Sequence, residues 1–255
     1  MRKLFLLISI LLFLVNIAGI FLDNTIETRP SLQKVPIPGY DYPVIDKRLL
    51  LKMLRTKGNT GDSLFVHNAC NAVYYGMFHS EKRRITFFEN WLMWLAGKIY
   101  QPLSHTQDAV LLVKGGAGNC NERAQVLMDI YKLNGLHSNF IMLNGHVTLQ
   151  VFFKGRWIIT DPDFGLVFNG SMKEMSLPSG LKYIDSVLTK KGFSKYIKDR
   201  YLYFWGVTFD DIVLPLNEVS SSKLHRAEKI SQWMSWIIPA VIVLICLTSF
   251  KKKAF

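Results

Sequence analysis

The sequence predicts an α+β domain held between two membrane-spanning helices. Three observations predict it. A long apolar run stands near each end of the chain, Leu4 to Leu22 and Trp233 to Phe250. In the middle, the glycine-rich stretch Gly115–Gly118 leads into apolar positions at helical spacing: Ala124, Leu127, Met128 and Tyr131. Three strand-like runs follow, separated by short turns and closing at Asp161.

Arg2 and Lys3 form a basic start. Residues 4–22, a nearly uninterrupted apolar run that includes Asn16, are long enough to span a bilayer. The competing reading is a cleaved signal peptide with Leu4 to Val15 as its apolar core. The small-residue pattern at Ala18-Gly19 is incomplete, which favours an uncleaved anchor. Residues 23–45 contain Pro30, Pro36, Pro38 and Pro43 and read as an extended linker. An amphipathic helix is expected from Val44 to Leu54, and a loop at Asn59-Thr60-Gly61-Asp62. Ser63 to His79 and Phe87 to Tyr100 read as helices, the second with Trp91, Trp94 and Leu95 on one side; core packing is the favoured reading of its aromatics and substrate contact the minority one. His67, Cys70 and His79 fit no zinc spacing.

Asn119 suits an N-cap, and Asn134-Gly135 a helix stop. Cys120 is therefore expected in the first turn of a helix of about four turns. The unpaired N–H groups and the helix dipole at that position favour a thiolate, the reactive form of cysteine. The plainer alternative is a buried, inert thiol. Phe140 to Leu143 is a short apolar run, Asn144-Gly145 a two-residue hairpin turn, and His146 to Phe153 a strand. Lys154-Gly155 then turns the chain into Arg156 to Thr160. If that turn has two residues, His146 stands opposite Asp163, and Thr148 opposite Asp161. His146 and Asp161 then share a face as diagonal neighbours roughly 7–8 Å apart at the backbone, within side-chain reach. A slip of one residue would put them on opposite faces. An aspartate so placed fixes the imidazole tautomer and leaves the other nitrogen for a nucleophile.

Gly118-Asn119-Cys120 opening a helix, then Gly145-His146-Val147-Thr148-Leu149-Gln150-Val151, then Gly155-Arg156-Trp157 and Asp161-Pro162, resembles the transglutaminase-like superfamily. Its members share the core of papain-like cysteine proteases. The resemblance covers about fifty residues closely. It implies a nucleophile helix packed on an antiparallel sheet, with Cys120 as nucleophile, His146 as base and Asp161 orienting the histidine. Val147-Thr148 stand where the family often has an aromatic residue, and Gln150 replaces a commonly acidic position. Trp91, Trp94 and Gln101 are of the right type for the family's second oxyanion donor.

Glycines at 115–118 could suggest a phosphate loop, but no Lys-Ser or Lys-Thr follows. Ser171 with Glu174 is a capping-box signature for a short helix. Leu181 to Lys190 and Tyr196 to Tyr203 read as helical, and Trp205 to Val213 as containing a strand. Residues 46–220 thus form the expected transglutaminase-like domain. Residues 221–232 are a basic juxtamembrane segment, 233–250 a transmembrane helix flanked by Trp233 and Trp236, and 251–255 a basic tail.

The net charge of +12 suits anionic partners such as lipid headgroups. The basic residues are scattered and no nucleic-acid motif is present, so no nucleic-acid partner is expected. With three cysteines, Cys70, Cys120 and Cys246, no disulfide framework is implied. A Cys70–Cys120 bond would block the nucleophile. Arg2 and Lys3 precede the first span, while Asp23 and Glu27 follow it. Both termini are then cytoplasmic and the domain extracytoplasmic, periplasmic in a Gram-negative cell.

The expected function is cleavage or transfer of acyl groups from amide or peptide bonds of a peptide, protein or envelope polymer. Hydrolysis is favoured over cross-linking because nothing marks an amine site, and no metal or organic cofactor is implied. A non-catalytic scaffold of an envelope assembly is the alternative from another class. A helical membrane protein with a merely structural middle is the third.

Overall fold

The structure, a computed structural model, describes residues 2–21, 47–80, 83–206, 212–214 and 221–251. The proline-rich linker and most of the basic tail lie outside the described residues. In chain order the elements are α1 (Arg2–Phe21), α2 (Lys47–Met53), α3 (Phe65–Gly76), β1 (Phe78–His79), α4 (Trp91–Ile99), α5 (Ala109–Gly115), β2 (Ala117–Gly118) and α6 (Cys120–Leu133). They continue as β3 (His137–Leu143), β4 (His146–Phe153), β5 (Arg156–Asp161), β6 (Leu166–Asn169), α7 (Met172–Met175), α8 (Pro178–Lys190), α9 (Lys195–Gly206), β7 (Ile212–Leu214) and α10 (Ser221–Lys251). The fold is mixed helix and sheet. Its contacts group into two units: Met1–Asn24, Arg83–Asp108 and Ser220–Phe255 form one, and Thr25–Lys82 with Ala109–Val219 form the other. The sequence reading runs a single domain through 46–220, whereas Arg83–Asp108 groups with the terminal helices.

In the unit of the terminal helices, α1 packs on α10. Both are long and apolar enough to cross a membrane. Asn16, a polar residue in the first run, donates from Nδ2 to the Ser235 carbonyl at 2.8 Å, and Phe13 meets Trp236 edge-on. In an apolar setting such a hydrogen bond joins helices, because no water competes for it. The helix of the second run begins well before Trp233, so the basic segment 221–232 continues the same rod. The aromatic stretch at Phe87–Tyr100 yields a shorter helix than expected. Asn90 caps it, its side chain accepting from Met93 N–H at 3.0 Å, so the chain before it is not helical.

The other unit is built on an antiparallel sheet in the order β6-β5-β4-β3-β7. Lys154 and Gly155 both take positive φ, 51° and 81°, as a two-residue turn that continues the strand twist requires. The register follows: Leu149 pairs Thr160, and Phe153 pairs Arg156. One face of the sheet, with Phe140, Leu149, Val151 and Ile158, packs on α3 and α6. The opposite face, with Ile141, Ile159 and Phe168, packs on α8 and α9. The strand alternation therefore serves two cores, which explains why these strands read as nearly continuous apolar runs.

Two boundaries differ from expectation. The helix expected to reach His79 stops at Gly76, because Met77 adopts an extended conformation and Phe78 N–H bonds Gly116 O at 2.8 Å. Trp205 and Gly206 complete α9 rather than opening the expected strand; of that stretch, Ile212 and Val213 lie in β7, which pairs with β3, and residues 207–211 lie outside the described residues.

Candidate active site

The loop before Cys120 is fixed from both sides. Gly116, at φ 72°, turns the chain out of α5 and into β2. β2 pairs in parallel with β1, setting His79 beside Gly118, and Ser80 N–H bonds Gly118 O at 3.0 Å. Asn119 then starts the helix. Its side chain accepts from Glu122 N–H at 3.0 Å, and the Glu122 carboxylate accepts from Asn119 N–H at 3.1 Å. This capping box satisfies two end donors and puts an acidic group where the helix dipole favours it. Cys120 is the first helical residue and is half-buried.

His146 opens β4, and Asp161 closes β5. They sit on one face of the sheet, and His146 Nε2 lies 2.7 Å from Asp161 Oδ2. Nε2 is thus engaged by the carboxylate, leaving Nδ1 for the nucleophile side. The Cys120 thiol interacts with this imidazole and is one of the groups that raise its proton affinity. The structure brings Cys120, His146 and Asp161 together.

The carboxylate of Asp161 is saturated with donors. Oδ2 also accepts the Tyr201 hydroxyl at 2.8 Å, and Oδ1 accepts Asp163 N–H at 2.9 Å and Phe164 N–H at 3.3 Å. The two backbone bonds close an Asx-type turn on Asp161-Pro162-Asp163-Phe164. Gly165 ends this turn at φ 60°, and a Cβ there would come within 2.9 Å of the Tyr74 ring. Tyr201 and Phe204, one helical turn apart on α9, cover the pair. Phe204 stacks on His146 at 5.0 Å and 19°, and Phe164 meets it edge-on at 5.4 Å. The imidazole is accordingly buried. Tyr201, Phe204 and Phe164 were not singled out in the sequence. The only signal was the i, i+3 aromatic spacing within Tyr196–Tyr203 and beyond.

A second ionic cluster hangs from the same turn. Asp163 Oδ1 accepts from Arg123 Nη1 at 2.8 Å, and His79 Nδ1 lies 2.8 Å from the same oxygen. Arg123 Nη2 donates to Tyr74 O at 2.9 Å. Arg123 and Asp163 are both buried, while the His79 side chain is 39 % exposed. Asp161-Pro162-Asp163 therefore anchors two histidines, one buried on β4 and one partly open on β1.

Electrostatics follow from these contacts. Burial alone pushes the His146 pKa down. The Asp161 carboxylate and its hydrogen bond, then Cys120 and Asp163, overcome that and raise it well above 6.5, favouring the charged ring. Burial pushes the Asp163 carboxyl up, but Arg123 and His79 outweigh it and hold the group well below its ordinary range. Burial and the nearby Asp161 charge push the Cys70 thiol far up, and it donates to Leu166 O at 3.5 Å. Burial, then Asp161, keep Tyr201 protonated as a donor. Cys70, Cys120 and Cys246 are free thiols.

A half-buried thiol on a helix N-terminus, beside an imidazole that a carboxylate fixes and whose proton affinity is raised, can exchange one proton with a bound group and attack an electrophile. Among the described residues, no group of three or more His, Cys, Asp or Glu is arranged to hold a metal ion. Trp91, Trp94 and Gln101 belong to the unit of the terminal helices. No protein-family model matches the sequence, and no curated protein matches it.

Proposed function

We propose that the chain is a membrane-anchored thiol enzyme with a transglutaminase-like, papain-like core, acting on amide or peptide bonds. The observation that carries this is Cys120 at the first position of α6 beside the buried His146–Asp161 pair. Cys120 Sγ attacks the carbonyl carbon, and its electron pair forms the thioester bond as the C–N bond breaks. The proton held on His146 passes to the leaving amine. Water then attacks the thioester and gives one proton to His146 as the C–S bond breaks, which releases the acid and returns the electron pair to the Cys120 sulfur. The Cys120 N–H, at the helix end, donates to the developing oxyanion. Asp161 holds the imidazole, and Tyr201 and the turn hold Asp161. The substrate is a peptide, protein or envelope-polymer amide, with hydrolysis preferred to transfer onto an amine.

The two apolar helices support a membrane location. Arg2 and Lys3 before the first run and Asp23 and Glu27 after it support a topology with both termini in the cytoplasm and the site unit outside it, in the periplasm if the cell is Gram-negative.

The test is p-nitrophenyl acetate, a generic acyl donor, with the detergent-solubilised full chain. A burst of p-nitrophenol stoichiometric with Cys120, lost in Cys120→Ala, is the expected result. A pentylamine acceptor that accelerates turnover would move the chemistry from hydrolysis to transfer. A burst that survives Cys120→Ala would defeat the mechanism, and a scaffold role would then lead.

A further inference from the structure

The segment Arg83–Asp108 is tied to the ends of the two apolar helices. Asn90 Nδ2 donates to Ser231 Oγ at 2.7 Å. Thr106 Oγ1 and Gln107 N–H donate to the Glu228 carboxylate at 2.6 and 2.7 Å, and Lys229 pairs with Asp108. On α1, a Cβ at Gly19 would lie 2.0 Å from Phe88 O, so the two backbones touch there. Ser231 is two residues before Trp233, where the second apolar run begins. At 1.5 Å per residue, the start of α4 lies within about one helical turn of that boundary.

The exposed face of this segment is apolar. Ile99 is 92 % exposed, Tyr100 59 %, Leu95 47 % and Phe88 44 %. Trp91 and Met93 are the buried side of α4, so the helix WLMWLAGKI turns one apolar face inward and another outward. Water is a poor solvent for such a face. At the ends of α1 and α10, which this segment contacts, Ile20, Phe21 and Trp233 are likewise open. Lys98 lies over the Trp94 ring at 4.7 Å, and Arg84 is exposed. A tryptophan, a tyrosine and cations around an apolar helix are the residue types of the headgroup boundary. The nearby carboxylates Glu89 and Asp108 are paired with Arg83 and Lys229.

We propose that α4 is an interfacial helix that lies in the bilayer surface at the ends of α1 and α10, with Leu95, Ile99 and Tyr100 in the acyl-chain boundary and Lys98 and Arg84 at the lipid phosphates. This rests on the reading of α1 and α10 as membrane spans, and it adds a third lipid contact from the middle of the chain.

The test places an environment-sensitive dye at Ile99→Cys in the full chain, with Cys120→Ser as background. The remaining thiols, Cys70 and Cys246, are buried and do not compete for label. Ile99 is almost fully exposed, so the change does not disturb packing. The protein is placed in phospholipid nanodiscs carrying a nitroxide either near the headgroup or at the chain end. The same dye at Ile237→Cys on α10 reports the span, and its glutathione adduct reports water. The expected result is blue-shifted emission at position 99, quenched more by the headgroup-side nitroxide than by the chain-end one, as for a face about 5–10 Å into the boundary. Emission like the glutathione adduct at position 99, with position 237 quenched, overturns the interfacial helix and leaves the spans standing. No quenching at either position removes both. Blue-shifted emission that neither nitroxide quenches means that protein, such as a second copy, covers the face, and also overturns the proposal.

Discussion

Tyr201 donates its hydroxyl to Asp161 Oδ2 across 2.8 Å, the same oxygen that His146 Nε2 reaches at 2.7 Å. The carboxylate is shared between a phenol and an imidazole. Tyr201→Phe keeps the ring against Phe164 and Phe204 and removes only the donor. Loss of a hydrogen bond to a charged group costs about 1.5–3 kcal/mol of stability. Asp161, left with one donor fewer, holds the His146 proton more tightly. The alkaline limb of Cys120 alkylation against pH should move upward, with the circular dichroism unchanged.

Asp161→Asn preserves the shape and removes the charge. Asp161 is the largest upward influence on the His146 pKa, so without it the balance shifts toward burial and the ring gives up its proton more readily. In the analogous serine triad such a change lowers turnover roughly ten-thousand-fold. A comparable collapse of the p-nitrophenyl acetate burst rate is expected. The His146 ring resonances in a proton NMR titration should titrate below their wild-type position.

Arg123 and His79 share Asp163 but differ in burial. Removing the buried guanidinium in Arg123→Leu leaves a buried carboxylate largely uncompensated, and should cost about 3–5 kcal/mol. Removing the partly exposed imidazole in His79→Ala should cost about 1 kcal/mol or less, because solvent screens it. Urea midpoints of the solubilised protein measure both. Equal losses would mean that Asp163 is held by something other than Arg123.

The pH dependence of stability has two edges. Folded His146 keeps its proton above the ordinary 6.5 of the unfolded chain. Its contribution is fully present below about 6.5 and is lost as pH rises through the raised folded value. Folded Asp163 ionises below its ordinary 3.8. Its contribution is present above about 3.8 and is lost as pH falls through the lowered value. Stability should therefore plateau in weak acid and decline on either side. Each limb approaches a slope of about 1.4 kcal/mol per pH unit per proton. His146→Gln should flatten the alkaline limb alone.

Local chemistry made part of this site legible. Asn119 before an apolar-periodic stretch marks the helix start that carries Cys120, and Lys154-Gly155 sets the register that brings His146 onto the face of Asp161. Each of these depends on neighbours a few residues away. Arg123 with Asp163, and Tyr201 with Asp161, are pairs forty residues apart. No spacing rule reaches that far, so a charged residue on a helix reads as a solvated one. The grouping of Arg83–Asp108 was hidden for the same reason. Its aromatics look like ordinary core until Glu228 and Ser231 are seen as partners.

That insertion has a consequence for biosynthesis. Thr106 receives its partner Glu228 only after 122 further residues are made. At about 5–20 residues per second, the interval is on the order of ten seconds. Throughout it, α4 has left the ribosome without α10, and its apolar side is uncovered. The unit that carries Cys120 is likewise written in two instalments, one on each side of the insertion. A C-terminal truncation that keeps residues 46–220 but removes α10 would carry this orphaned stretch with it. Such a truncation should aggregate, whereas the full chain should not.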